Sequence, residues 1–131
     1  MAHAPIQPEG WAPAKGYANG ILAEGRTIWV AGQIGWNADQ VFEAEDFIGQ
    51  TAQALRNVVA VVEAAGGTPE HIVRMTWYIT DKQAYVGAQR EIGQAYREIV
   101  GRHFPAMTLV VVADLLENKA LVEIEATAVL P

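Results

Sequence analysis

The chain contains no cysteine and no serine. Without cysteine there is no disulfide, no thiolate nucleophile and no cysteine metal site. Without serine there is no Ser-His-Asp triad, and a Cys-His pair is excluded with it. Histidine is scarce: His3, His71 and His103 lie far apart, and none falls in the H-E-x-x-H spacing of a zinc-binding helix. Gly16-Tyr17-Ala18-Asn19-Gly20 fits neither a Walker A loop nor a dinucleotide fingerprint, so a phosphate cradle has little support. Covalent catalysis would fall to lysine, threonine, tyrosine or a carboxylate, and catalysis through a positioned water stays open. No metal and no organic cofactor is expected.

Basic charge is also in short supply. Nine Lys+Arg stand against fifteen Asp+Glu, for a formal net charge of −6, and the basic residues form no run. A nucleic-acid surface needs clustered cations to neutralise phosphates, so no nucleic-acid partner is expected. Long apolar runs are absent too. No window approaches the ~20 apolar residues that span a bilayer, and the first ten residues lack the basic and apolar stretches of a leader. These features point to a cytoplasmic protein with no membrane partner. What is present is a core: 131 residues, 51% of them hydrophobic, suit a single domain over 1–131.

Three prolines make residues 1–14 an irregular lead-in. Residues 17–23 and 27–32 read as strands around a Glu24-Gly25-Arg26 turn, a hairpin candidate. Asp46 is a good N-cap for a helix over 46–65. Phe47, Thr51, Leu55, Val58, Val62 and Ala65 form its apolar stripe, and Gly66-Gly67 ends it. Residues 71–80 alternate as a strand, with Val73, Met75, Trp77 and Ile79 against Arg74, Thr76 and Tyr78. Asp81 caps a second helix over about 83–102, striped by Tyr85, Gln89, Ile92, Tyr96 and Ile99. His103 would sit near its C-terminal dipole, and Pro105 breaks the chain. Strands over 106–114 and 119–130 follow.

The order β-β-α-β-α-β-β implies an α+β fold, one sheet with two helices on one face. In the last strand Val122, Ile124, Ala126 and Ala128 suit the helices, while Glu123, Glu125 and Thr127 point away. In the strand before it, Met107, Leu109 and Val111 alternate with Thr108, Val110 and Val112, so both faces are largely apolar. A solvated sheet face is normally polar. Self-association through the second face, in closed cyclic symmetry, accounts for this pattern.

Several ordered pieces resemble the Rid (YjgF) family across about residues 16–129. They are Gly16-Tyr17 with Gly20, Ala31-Gly32-Gln33, Leu55-Arg56-Asn57-Val58 and Val62-Glu63-Ala64-Ala65-Gly66. Ile72-Val73-Arg74, Phe104-Pro105-Ala106 and Val122-Glu123-Ile124-Glu125-Ala126 complete the set. The resemblance implies a chorismate-mutase-like fold and a homotrimer with a central barrel and a ligand cleft at each subunit boundary. It also implies hydrolysis of reactive enamines and imines to a keto acid and ammonia, without cofactor. In that pattern Glu123 positions the water, and Tyr17, Ala31, Gly32, Gln33, Met107 and Leu109 line the substrate.

The sequence departs from the family where an arginine grips the substrate carboxylate. That position, straight after Phe104-Pro105-Ala106, is Met107. A cysteine common two positions on is Leu109, and a serine or threonine common before Gly-Gln is Ala31. If Met107 and Glu123 share the barrel-side face, a flexible apolar side chain replaces the anion's partner. Loss of a charged hydrogen bond costs roughly 1.5–3 kcal/mol, or about 10–100-fold. The expected substrate is therefore neutral, aromatic or larger, with Trp29 or Trp36 as further contacts and Arg74 as a candidate replacement cation. Trp29, Trp36 and Trp77 otherwise read as packing, and Glu125 as structural. A non-enzymatic ligand-binding or chaperone-like trimer is the alternative. A ribonuclease, a label often attached to the family, fits this acidic chain least.

Overall fold

A computed structural model describes residues 3–131. Its elements are β1 (Ala4–Ile6), β2 (Gly20–Leu22), β3 (Arg26–Ile34), α1 (Phe47–Ala64), β4 (Ile72–Ile79), α2 (Lys82–Val86), α3 (Gln89–Ile99), β5 (Ala106–Val111) and β6 (Val122–Leu130). A four-stranded sheet runs β3-β6-β4-β5, with β1 and β2 in a separate two-stranded ribbon. β6 is antiparallel to both β3 and β4, whereas β4 and β5 are parallel. α1 and α3 pack on one face of the larger sheet, in the α+β arrangement expected.

α1 forms where its stripe and caps agree. The Asp46 carboxylate accepts the Gly49 N–H at 3.0 Å, as an N-cap should. Phe47, Thr51, Leu55, Val58 and Val62 are buried. Each fully buried aliphatic side chain contributes about 1.5–3 kcal/mol. Gly66, at φ 90°, turns the chain out of the helix. Ala65, expected in the stripe, is the exposed C-cap residue. The stripe meets Met75, Trp77 and Ile79 of β4 and Val122, Ile124, Ala126 and Ala128 of β6 in one core.

The structure corrects the expected hairpin. β2 pairs with β1, inside the supposed irregular lead-in, and β3 pairs with β6. Ile28 and Val30 of β3 register against Ala128 and Ala126, so burial of a long apolar face outweighs a short local turn. The second helix is two. Asp81 caps α2 as expected, accepting from Gln83 and Ala84, but the helix stops at Gly87 and restarts at Gln89. The helical stretch also ends earlier, and Gly101 takes φ 94° beyond it. His103 therefore leaves the helix end, and its Nε2 lies 2.6 Å from the Ile72 carbonyl oxygen in the neighbouring strand. β5 and β6 are each shorter than their sequence patterns suggested.

Candidate functional site

The candidate residues fall on two faces and both edges of the sheet. Tyr78 registers with Glu123, and Thr76 with Glu125. These side chains, with Arg74, Trp29 and Thr127, make the face away from the helices. A depression of about 440 Å³ there is lined by Trp29, Ala31, Arg74, Thr76, Glu125 and Thr127.

Glu123 is seated by a bulge. The β3–β6 register slips between Val30 and Gln33, which bends the strand and re-aims side chains. Gly32 then faces the Glu123 carboxylate so closely that a Cβ at position 32 would overlap it. Gln33 folds back, its Nε2 donating to the Ala31 carbonyl at 3.0 Å. Ala31, Gly32, Gln33 and Glu123 thus form one notch at the β3 edge. Gln33 serves its backbone, as a scaffold residue would.

Met107 and Leu109 lie elsewhere, and this overturns the expectation that Met107 shares a face with Glu123. β5 is parallel to β4 with Met107 beside Met75 and Leu109 beside Trp77. Met75 and Trp77 are core residues, and Met107 and Leu109 pack against that core. Both therefore project to the helix side. The β5 pattern is apolar at both parities, so periodicity alone could not choose. Arg74 is on the Glu123 side and is no replacement cation for Met107 within one chain.

Tyr17 stands at the outer edge of β5. Its neighbour Ala18 donates to the Pro105 carbonyl at 3.0 Å and bridges Ala106. Tyr17 lines a cavity of about 580 Å³ with Trp11, Asn19, Arg102, His103 and Phe104. Trp36 packs against Phe42, 5.8 Å between ring centroids, away from these residues.

The open face also carries a hydrogen-bonded tyrosine–glutamate pair. The Tyr78 hydroxyl donates to Glu125. That hydrogen bond, some desolvation and the nearby Glu125 and Glu123 charges hold the phenol above its ordinary value of 10.0, against a lowering by Arg74. Alternation places Tyr78 on the Arg74 face of β4, but pairing it with Glu125 requires the β4–β6 register. Among the described residues no three His, Asp or Glu side chains cluster as a metal site. No helix of the described residues is long and apolar enough to cross a membrane.

An α+β sandwich with a carboxylate in an edge-strand notch is the class of domain these features define. Residues 8–130 match the family described as Endoribonuclease L-PSP. A RutC family protein of Haemophilus influenzae is 34% identical over 105 residues, covering 80% of each chain. The 2-iminobutanoate/2-iminopropanoate deaminase of Dermatophagoides farinae is 30% identical over 127 residues, 96% of this chain and 92% of that one. The Yersinia pestis protein YyfB, of the conserved Rid family and of unknown function, superposes with a TM-score of 0.88. It is 32% identical and covers 99% of this chain and 100% of its own. The chain belongs to this family, the Rid (YjgF) proteins of the resemblance above.

Proposed function

We propose that the protein hydrolyses small imines and enamines, with Glu123 positioning the attacking water in a cleft between copies of the chain. The observation that carries this reading is the Glu123 notch, where a bulge and a glycine leave room for a carboxylate and for little else. The kinship with a protein named as an iminoacid deaminase supports it.

The chemistry asks little of the protein. Glu123 accepts a proton as water adds to the electrophilic C=N carbon. With the imine protonated on nitrogen at the outset, the proton on Glu123 returns to the carbinolamine nitrogen, the C–N bond breaks, and the hydroxyl proton passes to the departing ammonia, giving the carbonyl product and ammonium. An enamine is first protonated at carbon. General base assistance of this kind contributes typically 10²–10⁴-fold.

The position of the remaining residues calls for a second copy. β3 and β5 are opposite edges of the sheet, roughly 14 Å apart at the usual strand spacing. In a closed trimer the β5 edge of one copy, with Tyr17, Met107 and Leu109, would face the notch of Ala31, Gly32, Gln33 and Glu123 in the next.

The test uses imines freshly generated by an amino-acid oxidase, including aromatic ones, with release of the carbonyl product followed. Acceleration by the native chain and at least a 10²-fold loss in Glu123→Gln is expected. No acceleration on any imine, or an equal rate in the variant, sinks the reading. Met107 in place of the arginine favours one second reading, a ligand carrier or chaperone-like trimer without turnover. Native mass spectrometry would then show a retained small molecule. RNA cleavage has little support: the net charge is −6, and His3, His71 and His103 are each engaged with backbone groups.

A further inference from the structure

A second concavity lies on the helix side of the sheet, between β4, β5, α2 and α3. It encloses about 340 Å³, and its walls include Trp77, Tyr85, Tyr96, Phe104 and Met107. The rings are ordered in two pairs. Trp77 meets Tyr85 edge to face at 6.4 Å, and Tyr96 stacks on Phe104 at 5.7 Å with 9° between planes. The Tyr96 hydroxyl is already committed, donating to the His103 carbonyl at 2.6 Å, so that wall offers a ligand carbon rather than a polar atom. The volume is at the small end for ligand pockets, which suits a molecule with one ring.

Among the described residues, the one cationic side chain lining this pocket is Arg97. It stands one helical turn beyond Gly93 on the same face of α3. Its Nη1 comes within 3.3 Å of where a Cβ on Gly93 would be. The guanidinium thus lies down over the bare glycine, beside the aromatic walls. A planar guanidinium pairs bidentately with a carboxylate. On a chain of net charge −6, anions are repelled in general, so anion binding here would require this local cation.

The geometry points to a binding site for a small carboxylate that carries an aromatic ring, its ring between the aromatic walls and Met107 and its anionic group on Arg97. α3, rather than β5, then supplies the anchor that Met107 cannot. This rests on the reading of Met107 as a substrate-cleft residue and narrows the substrate to imines that carry a ring and an acid group.

Titration calorimetry of the full chain with phenylacetate and with phenylacetamide tests it. Phenylacetate should bind about tenfold more tightly, the low end for a charged hydrogen bond because Arg97 is exposed. Arg97→Gln, a change on the helix surface, should erase that difference and leave phenylacetamide binding unchanged. Met107→Trp, which fills the pocket, should abolish binding of both. Absence of saturable binding, equal affinities in the native chain, or a preference that survives Arg97→Gln would overturn the site. Binding is read without turnover, so the two proposals separate. Intact Arg97-dependent binding with no imine hydrolysis defeats the reaction and keeps the site. Hydrolysis without such binding defeats the site alone.

Discussion

At the scale of single residues, Gly32 is the most informative position. Its backbone is not in the left-handed region, so alanine costs no conformational strain there. The cost is local and steric: a Cβ would stand 2.7 Å from Glu123 Cδ and 2.9 Å from Cγ. The Glu123 side chain is flexible and would swing aside. Displacement of a reacting group by about 1 Å can cost about 10²-fold in rate. Gly32→Ala should therefore keep a melting temperature near that of the native chain while losing imine hydrolysis about as severely as Glu123→Gln. Full activity in Gly32→Ala would show that the notch does not position the carboxylate. The neighbouring acid has a different task. Glu125 accepts from Tyr78 on the open face, which agrees with the structural role expected for it.

At the scale of elements, the helices and strands hold the notch through a few polar ties. Gln50 of α1 is almost fully buried. Its Nε2 donates to the Lys119 carbonyl at 2.9 Å, and its Oε1 accepts the Leu121 N–H at 2.8 Å. This clamps the chain just before β6 and so fixes where Glu123 enters the sheet. Gln50→Leu would leave those backbone groups unpaired, at about 1–3 kcal/mol each. A total near 3 kcal/mol should lower Tm by roughly 10 °C. Thermal unfolding followed by circular dichroism would check this, and an unchanged Tm would mean that the clamp carries no stability. The same scale shows what the amino-acid pattern could disclose. α1 was legible because stripe, Asp46 cap and Gly66 exit all agree. The β2 strand is legible but its partner is not: a short turn between apolar runs resembles a hairpin, and only the pairing of β2 with β1 and of Ile28 and Val30 with β6 shows otherwise. The grouping of Ala31, Gly32, Gln33 and Glu123 came from motifs and is close in space. The face of Met107 was not legible, because both parities of β5 are apolar and its parallel register with Met75 decides the matter. Arg97 carried no signal until the fold laid it over Gly93.

At the scale of the whole molecule, the sheet face away from the helices has no cover among the described residues. Trp29 is 79% exposed there, on an edge strand, and Val110 is exposed at the other edge. An exposed indole on a sheet face, an open β3 edge and a β5 edge bridged only at Ala106 are liabilities that association removes. The proposed cleft needs the same association, since Tyr17, Met107 and Leu109 sit at the edge opposite the Glu123 notch. Light scattering on a sizing column should give three times the 14.2 kDa chain mass. Trp29→Asp places a charge where a second copy would pack, and it should yield single chains. Trp29 is outside the buried core, so the far-ultraviolet circular dichroism should not change. Imine hydrolysis should fall with the trimer, because each cleft would lose the half supplied by the neighbouring copy. A native chain that runs at its single-chain mass yet hydrolyses imines would defeat the shared cleft. The reaction would then have to be completed by residues of one copy around Glu123, with Arg74 and Tyr78 as the polar groups on that face.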